Sequence, residues 1–157
     1  MRLFSNILCP VDFDQNSLAA ISSAAELARE HNATLYLLHV LHSAPQESVS
    51  GGELEAAARS RLERIGHQRV KVGTRYEVLA MNGDPAGSVL QVAAGLGADL
   101  IVMATHGRKG LRRMVLGSVA ERVVREARCP VLTVKPAAAR AGASQAPQPR
   151  PKRIREK

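Results

Sequence analysis

The 157-residue chain contains no tryptophan, only two phenylalanines and two tyrosines, and only two cysteines. With so few aromatic side chains it lacks the stacking platforms on which RNA and single strands are read, and its core must be aliphatic. Cys9 and Cys129 form no CxxC pair, and the five histidines (His31, His39, His42, His67, His106) are scattered, with no HExxH. That pattern argues against a structural zinc site and for two reduced thiols in apolar surroundings. No apolar run reaches the length of a membrane span. The opening stretch MRLFSNILCPVD meets an acid too early for a secretory leader, so a cytoplasmic protein is expected. Glycine is missing from the turn CPVDFDQN, which removes the GxGxxG dinucleotide fingerprint, and no GKS or GKT supplies a Walker A loop.

A chain of this length fits one domain that buries roughly two-thirds of its unfolded surface. The net charge of +8 suggests nucleic acid until it is located. Residues 136–157 hold Arg140, Arg150, Lys152, Arg153, Arg155 and Lys157 against Glu156 alone, in an Ala- and Pro-rich context with almost nothing apolar to bury. Such a segment cannot offset its ordering entropy. The expected organisation is therefore a folded domain over 1–136 and a disordered basic tail over 137–157. With no recognisable reading motif, only non-specific, salt-sensitive contact with nucleic acid would follow from this charge.

Apolar runs alternate with amphipathic ones. LFSNILCPV (3–11), ATLYLLHVL (33–41), VGTRYEVLA (72–80), ADLIVMA (98–104) and PVLTVK (130–135) read as strands. Helices are expected over 15–31, capped by Asp14 or Ser17, over 53–65, and from Pro85 to about Leu96, with Asp84 as cap. Residues 43–52 read as a loop. Ser118-Val119-Ala120-Glu121 has capping-box spacing at the start of a last helix reaching about Ala127. This order implies an α/β fold, an open five-stranded parallel sheet with helices on both faces, in which ligands bind beyond the carboxyl ends of the strands.

The stretch HGRKGLRRMVLGS (106–118) leaves one of those ends with four cations (Arg108, Lys109, Arg112, Arg113), three glycines and no carboxylate. Glycines admit an anion to backbone amides, and the helix that follows adds the positive end of its dipole. The residues alone leave three readings open: a phosphate cradle, a solvated basic loop, or a nucleic-acid contact.

ILCPVDFDQNSLAA, LYLLHVL, NGDPAGSVLQVA and above all IVMATHGRKGLRRMVLGSVAERVVREARCPVLTVK resemble the universal stress protein A family over residues 3–135. The resemblance implies a Rossmann-like fold of the adenine nucleotide alpha hydrolase type. The family's ATP-binding branch carries G-x2-G-x9-G-[ST], and the matching positions here are Ala104, Gly107, Gly117 and Ser118, with nine residues (108–116) between the two glycines. Ala104 thus replaces a glycine. The implied nucleotide-binding set is Pro10, Val11, Asp12, Val40, Met103, Ala104, Thr105, Gly107, Arg108, Gly110, Gly117, Ser118 and Val119. Within it, Asp12 would contact the nucleoside, Val40 would offer backbone atoms to adenine and Met103 would pack near the base. Gly107, Gly117 and Ser118 would hold phosphates. The resemblance further implies a homodimer paired antiparallel through strand 130–135.

Each residue also has a plainer reading. Asp12 would brace the first helix, Met103 belong to the core, Ser118 cap its helix, and Arg112 and Arg113 form a solvated face. His106 has no nucleophile or metal constellation around it. Rapid hydrolysis requires a carboxylate to hold metal near the γ-phosphate, and none occurs from His106 to Ala120, leaving Asp12 as the candidate for Mg²⁺. The expected function is a cytoplasmic stress-response protein that binds ATP, with at most slow hydrolysis. The alternative is a dimeric interaction scaffold of the same family that binds no nucleotide, which Ala104 favours and the Gly117-Ser118 pair opposes. Deleting residues 138–157 is expected to leave the melting temperature nearly unchanged. A loss of several degrees in calorimetry would show that the tail docks on the body.

Overall fold

In the computed structural model, residues 3–42, 51–105 and 116–135 are described. Their elements run β1 (Asn6–Pro10), α1 (Gln15–His31), β2 (Thr34–Leu41), α2 (Gly51–Arg69), β3 (Arg75–Asn82), α3 (Pro85–Leu96), β4 (Leu100–Ala104), α4 (Ser118–Glu126) and β5 (Val131–Val134). The strands form one sheet in the order β3-β2-β1-β4-β5, every pair parallel. The expected architecture is therefore the observed one. Winding runs outward from β1 to β3, then returns and runs outward again from β4 to β5. Right-handed crossovers in opposite directions place their helices on opposite faces. Accordingly α1 and α2 pack with Ile7, Cys9, Leu35, Leu37 and Val102 on one face. On the other face α3 and α4 pack with Leu8, Leu38, Ile101 and Met103.

Local signals explain most boundaries. Asp14, not Ser17, caps α1, its Oδ1 accepting the Ser17 amide at 2.7 Å. Asp84 accepts the Gly87 amide at 2.9 Å, and Pro85 occupies the first turn of α3. Four alanines of α1 (Ala20, Ala24, Ala25, Ala28) are buried, so this helix lies close against the sheet.

Three expectations are corrected. β3 begins at Arg75, because Lys71–Thr74 forms a turn in which Gly73 adopts φ 89° and Val72 projects wholly into solvent. α2 begins at Gly51, two residues inside the expected loop, and runs on to Arg69. Gly66 inside it lies under Tyr76, whose Cζ would be 2.8 Å from a Cβ there, so ring packing replaces the missing side chain. The third concerns the start of α4 and belongs to the site. The expected loop over 43–52 lies outside the described residues up to position 50, as does the tail over 137–157.

Leu37 is fully buried between β2's neighbours and the helices, whereas Val72 is fully exposed. Leu37→Ala is expected to cost about 2–5 kcal/mol, and Val72→Ala to stay within about 0.5 kcal/mol of the parent. Urea unfolding of the two variants checks the contrast.

Candidate functional site

The two strands at the centre of the sheet part company at their carboxyl ends. β1 pairs with β2 through Pro10–Leu38, and the Val11 amide continues the ladder to the Leu38 carbonyl at 2.8 Å. β1 pairs with β4 only at Ile7–Leu100 and Leu8–Ile101. In a strand, successive residues aim their amides at opposite neighbours. Val11 donates toward β2, so position 10 faces β4, and Pro10 has no N–H to give. β4 stays with β5 through Ala104–Val134. A crevice thus opens between β1 and β4, where the winding reverses, the place at which open α/β sheets take their ligands.

The expected site residues that are described lie at or just beyond the carboxyl ends of β1, β2 and β4 and at the start of α4. Asp12 follows β1, half-buried, its Oδ1 accepting the Asp14 amide at 3.2 Å. It therefore does brace the first helix turn, as the plainer reading held. Desolvation pushes the Asp14 carboxyl above the ordinary aspartate range; the Ser17 amide opposes that rise and the Asp12 charge adds to it. Val40, Met103 and Val119 pack with the same cluster, on the α3–α4 face. Ala104 packs with the opposite cluster, so its methyl lies on the α1–α2 face rather than beside Val40 and Met103. Gly107, Arg108 and Gly110, with His106, Lys109, Arg112 and Arg113, lie outside the described residues.

The start of α4 differs from the capping box expected at Ser118. Gly117 is the cap residue, Ser118 is the first helical residue and exposed, and among the described residues no side chain caps the helix. Backbone bonds enforce this placement. Thr105, buried at the end of β4, donates its amide to the Val134 carbonyl at 3.1 Å and accepts the Gly117 amide at 2.7 Å. Glu121 then donates to the Gly117 carbonyl at 2.8 Å. Gly117 has φ −72° and ψ 159°, which any residue adopts. Serine or aspartate there would cap the helix with a side chain; glycine supplies no such cap to the first amides and the positive end of the dipole.

The nearby helical cations are occupied. Arg122 reaches Asp84 at 2.6 Å and Glu126 at 3.3 Å, and Arg125 pairs with Glu121 and Glu126. The Gly87 amide and Arg122 hold the Asp84 carboxyl below its usual range. Among the described residues no cluster of three His, Cys, Asp or Glu could hold a metal ion. Cys9 is buried in the sheet, its thiol pushed up to about 12 by desolvation, and burial raises Cys129 as well. Both are free, as expected. A cavity of about 540 Å³ lined by Leu90, Ala94, Gly97, Ala98, Ala127 and Cys129 lies at the opposite end of the sheet, where α3 and α4 finish.

One contact near the crevice has no signal in the sequence. His39 and Arg61, from β2 and α2, both meet the ring of Phe13 beside Asp12.

An open parallel sheet whose strands part at its reversal point, with the start of α4 tied to the end of β4 beside the gap, defines a Rossmann-like α/β protein. Residues 3–135 match the universal stress protein family, and the chain belongs to that family. It is 33% identical over 142 residues to the universal stress protein MJ0531 of Methanocaldococcus jannaschii, covering 85% of this chain and 84% of the relative. Its fold matches the solved structure of hypothetical protein MJ0577 with a TM-score of 0.76 at 28% identity, covering 85% of this chain and 97% of that one. A universal stress protein solved in complex with cAMP shares the fold at a TM-score of 0.66 and 22% identity, covering 85% and 98%.

Proposed function

We propose that the chain is a cytoplasmic universal stress protein that binds ATP across the β1–β4 crevice and acts in stress response as a nucleotide-dependent regulator or scaffold. The observation that carries this reading is Gly117: a helix-cap position in ordinary backbone geometry, left without a side chain, at the mouth of the crevice. An anion that approaches the amides of Ser118 and Val119 closely is the physical reason to leave it bare. Asp12, Val40 and Met103 would take the nucleoside, with Pro10, Val11, Ala104 and Thr105 forming the strand ends around it. Gly107, Arg108 and Gly110 would complete the phosphate side. Ala104 weakens the reading less than its sequence position suggests, because its methyl packs on the other face of the sheet.

Mg²⁺ commonly keeps several waters and binds through one or two carboxylates plus phosphates, so Asp12 alone suits it where the described residues hold no three-ligand cluster. A bound ATP–Mg²⁺ would supply a charged, conformation-dependent surface rather than a reaction. No catalytic residue is assigned, and any hydrolysis would be slow. Among the described residues no helix is long and apolar enough to cross a membrane.

The scaffold reading draws on β5. This strand is at the sheet's edge, and Leu132 on it and Val124 on α4 are exposed. An edge of this kind wants a partner. A second copy pairing antiparallel through residues 130–135 would provide one, with or without nucleotide. Leu132→Asp is expected to convert a dimer to monomer in light scattering with the melting temperature of the isolated subunit kept. An unchanged dimer would place the interface elsewhere.

Gly117→Asp separates stability from binding. A carboxylate at this position caps α4, so the melting temperature should hold or rise, since glycine trails the best caps by a few tenths of a kcal/mol. The same charge repels phosphate, so ATP affinity should fall by about tenfold or more, about 1.4 kcal/mol or above, while adenosine binding changes less. Calorimetric titration of both ligands checks this. Equal ATP binding by variant and parent would defeat the phosphate reading.

A further inference from the structure

Two non-glycine residues adopt a positive φ among those described, Phe13 at 65° and Asn32 at 51°. Asn32 ends α1 as its C-cap, a place where asparagine takes the left-handed conformation readily. Phe13 has no such role, and a bulky side chain at positive φ is a genuine outlier. It persists only where surrounding structure holds it.

What holds it comes from two other elements. The His39 ring on β2 lies 4.1 Å from the Phe13 ring, centroid to centroid, tilted by 30°. The Arg61 guanidinium on α2 sits over the same ring, 4.2 Å from its centroid. His39 also fixes the chain on the other side of Asp12, its Nδ1 standing 2.6 Å from the Val11 carbonyl oxygen. A carbonyl only accepts, so this nitrogen carries the proton. The Val11 amide is already bound to Leu38. Asp12 is therefore flanked by two residues whose geometry β2 and α2 dictate.

We propose that Phe13, clamped between His39 and Arg61, is a positioning residue that sets the Asp12 carboxylate at the crevice before ligand arrives. The inference rests on the nucleotide-binding reading of the crevice and goes beyond it, since Phe13, His39 and Arg61 belong to no ligand set considered above. Its physical content is preorganisation. A ligand that binds only one arrangement of the β1–α1 turn sees its affinity reduced by the fraction of molecules in that arrangement. The clamp holds that fraction near unity, at the cost of the strained φ.

Phe13→Gly tests this, because glycine accepts φ 65° without strain, and since Phe13 packs against the α1–α2 core cluster the melting temperature of each variant is measured alongside to establish that it is folded. Arg61→Met keeps the α2 stem and removes the cation, and Phe13→Tyr keeps the ring. ATP is titrated calorimetrically into all four proteins, and hydrogen exchange of the Asp14 amide, which is bonded to Asp12 Oδ1, is measured by NMR without ligand. The expected result is parent-like affinity for Phe13→Tyr, about tenfold weaker binding for Phe13→Gly as the ordered fraction falls to about a tenth, and an intermediate loss for Arg61→Met. Faster Asp14 exchange in the ligand-free Phe13→Gly protein should accompany the loss. Parent-like ATP affinity in Phe13→Gly overturns the proposal, whatever its exchange rate. If the parent itself binds no ATP, the nucleotide reading fails separately. Exchange then decides the clamp alone: faster in Phe13→Gly supports it, unchanged overturns it.

Discussion

Every donor in the interior of a parallel sheet buried on both faces must find an acceptor in a neighbouring strand, and the central strand here holds one residue with no donor. Pro10 faces β4 at the point where a ladder bond would otherwise form, and beyond Leu8 the two strands separate. Much of the site follows from that parting. β4, released from β1, keeps its partnership with β5 to the end, and Thr105 extends it. The same Thr105 holds the Gly117 amide and so seats the start of α4 beside the gap. One missing N–H thus accounts for both the opening and the helix terminus placed over it.

The two faces of the sheet contribute differently at this opening. Val40, Met103 and Val119 gather on the α3–α4 side. Phe13, Ala104 and the stem of the β1–α1 turn belong to the α1–α2 side. The apolar side chains at the opening are therefore separated from the scaffolding that orients the turn. That division also keeps the Ala104 methyl away from Val40 and Met103, a distinction that depends on the two-residue period of a strand.

The architecture was legible in the sequence because its signals were redundant. Continuous apolar runs, Asp84-Pro85 at a helix start and the change of period after Asp14 all pointed the same way, and parallel topology follows from their order. Failures came where one local pattern had two meanings. Ser118 and Glu121 have the spacing of a capping box, yet that spacing also fits a helix that begins one residue earlier, and the Thr105–Gly117 bond decides for the latter. Val72 has strand propensity, but Gly73 turns the chain first. The Phe13 contacts were invisible for another reason. They join residues 13, 39 and 61, which carry no shared motif and meet only once β2 and α2 are in place.

The bond that closes the far end of the central strand bears on how the chain is made. Asp99 accepts the Ser5 amide at 2.6 Å and the Asn6 amide at 2.9 Å, and the Ser5 contact spans 94 residues of sequence. On a ribosome, β1 emerges early, pairs with β2 and then waits for the segment that covers its other side. Until residues near 100 have left the exit tunnel, the strand destined for the middle of the sheet is an edge, rich in Ile7, Leu8 and Cys9 and open to any extended chain nearby. The order of the strands therefore makes the nascent form of this protein more prone to association than the finished one, and makes its folding depend on a late, long-range closure.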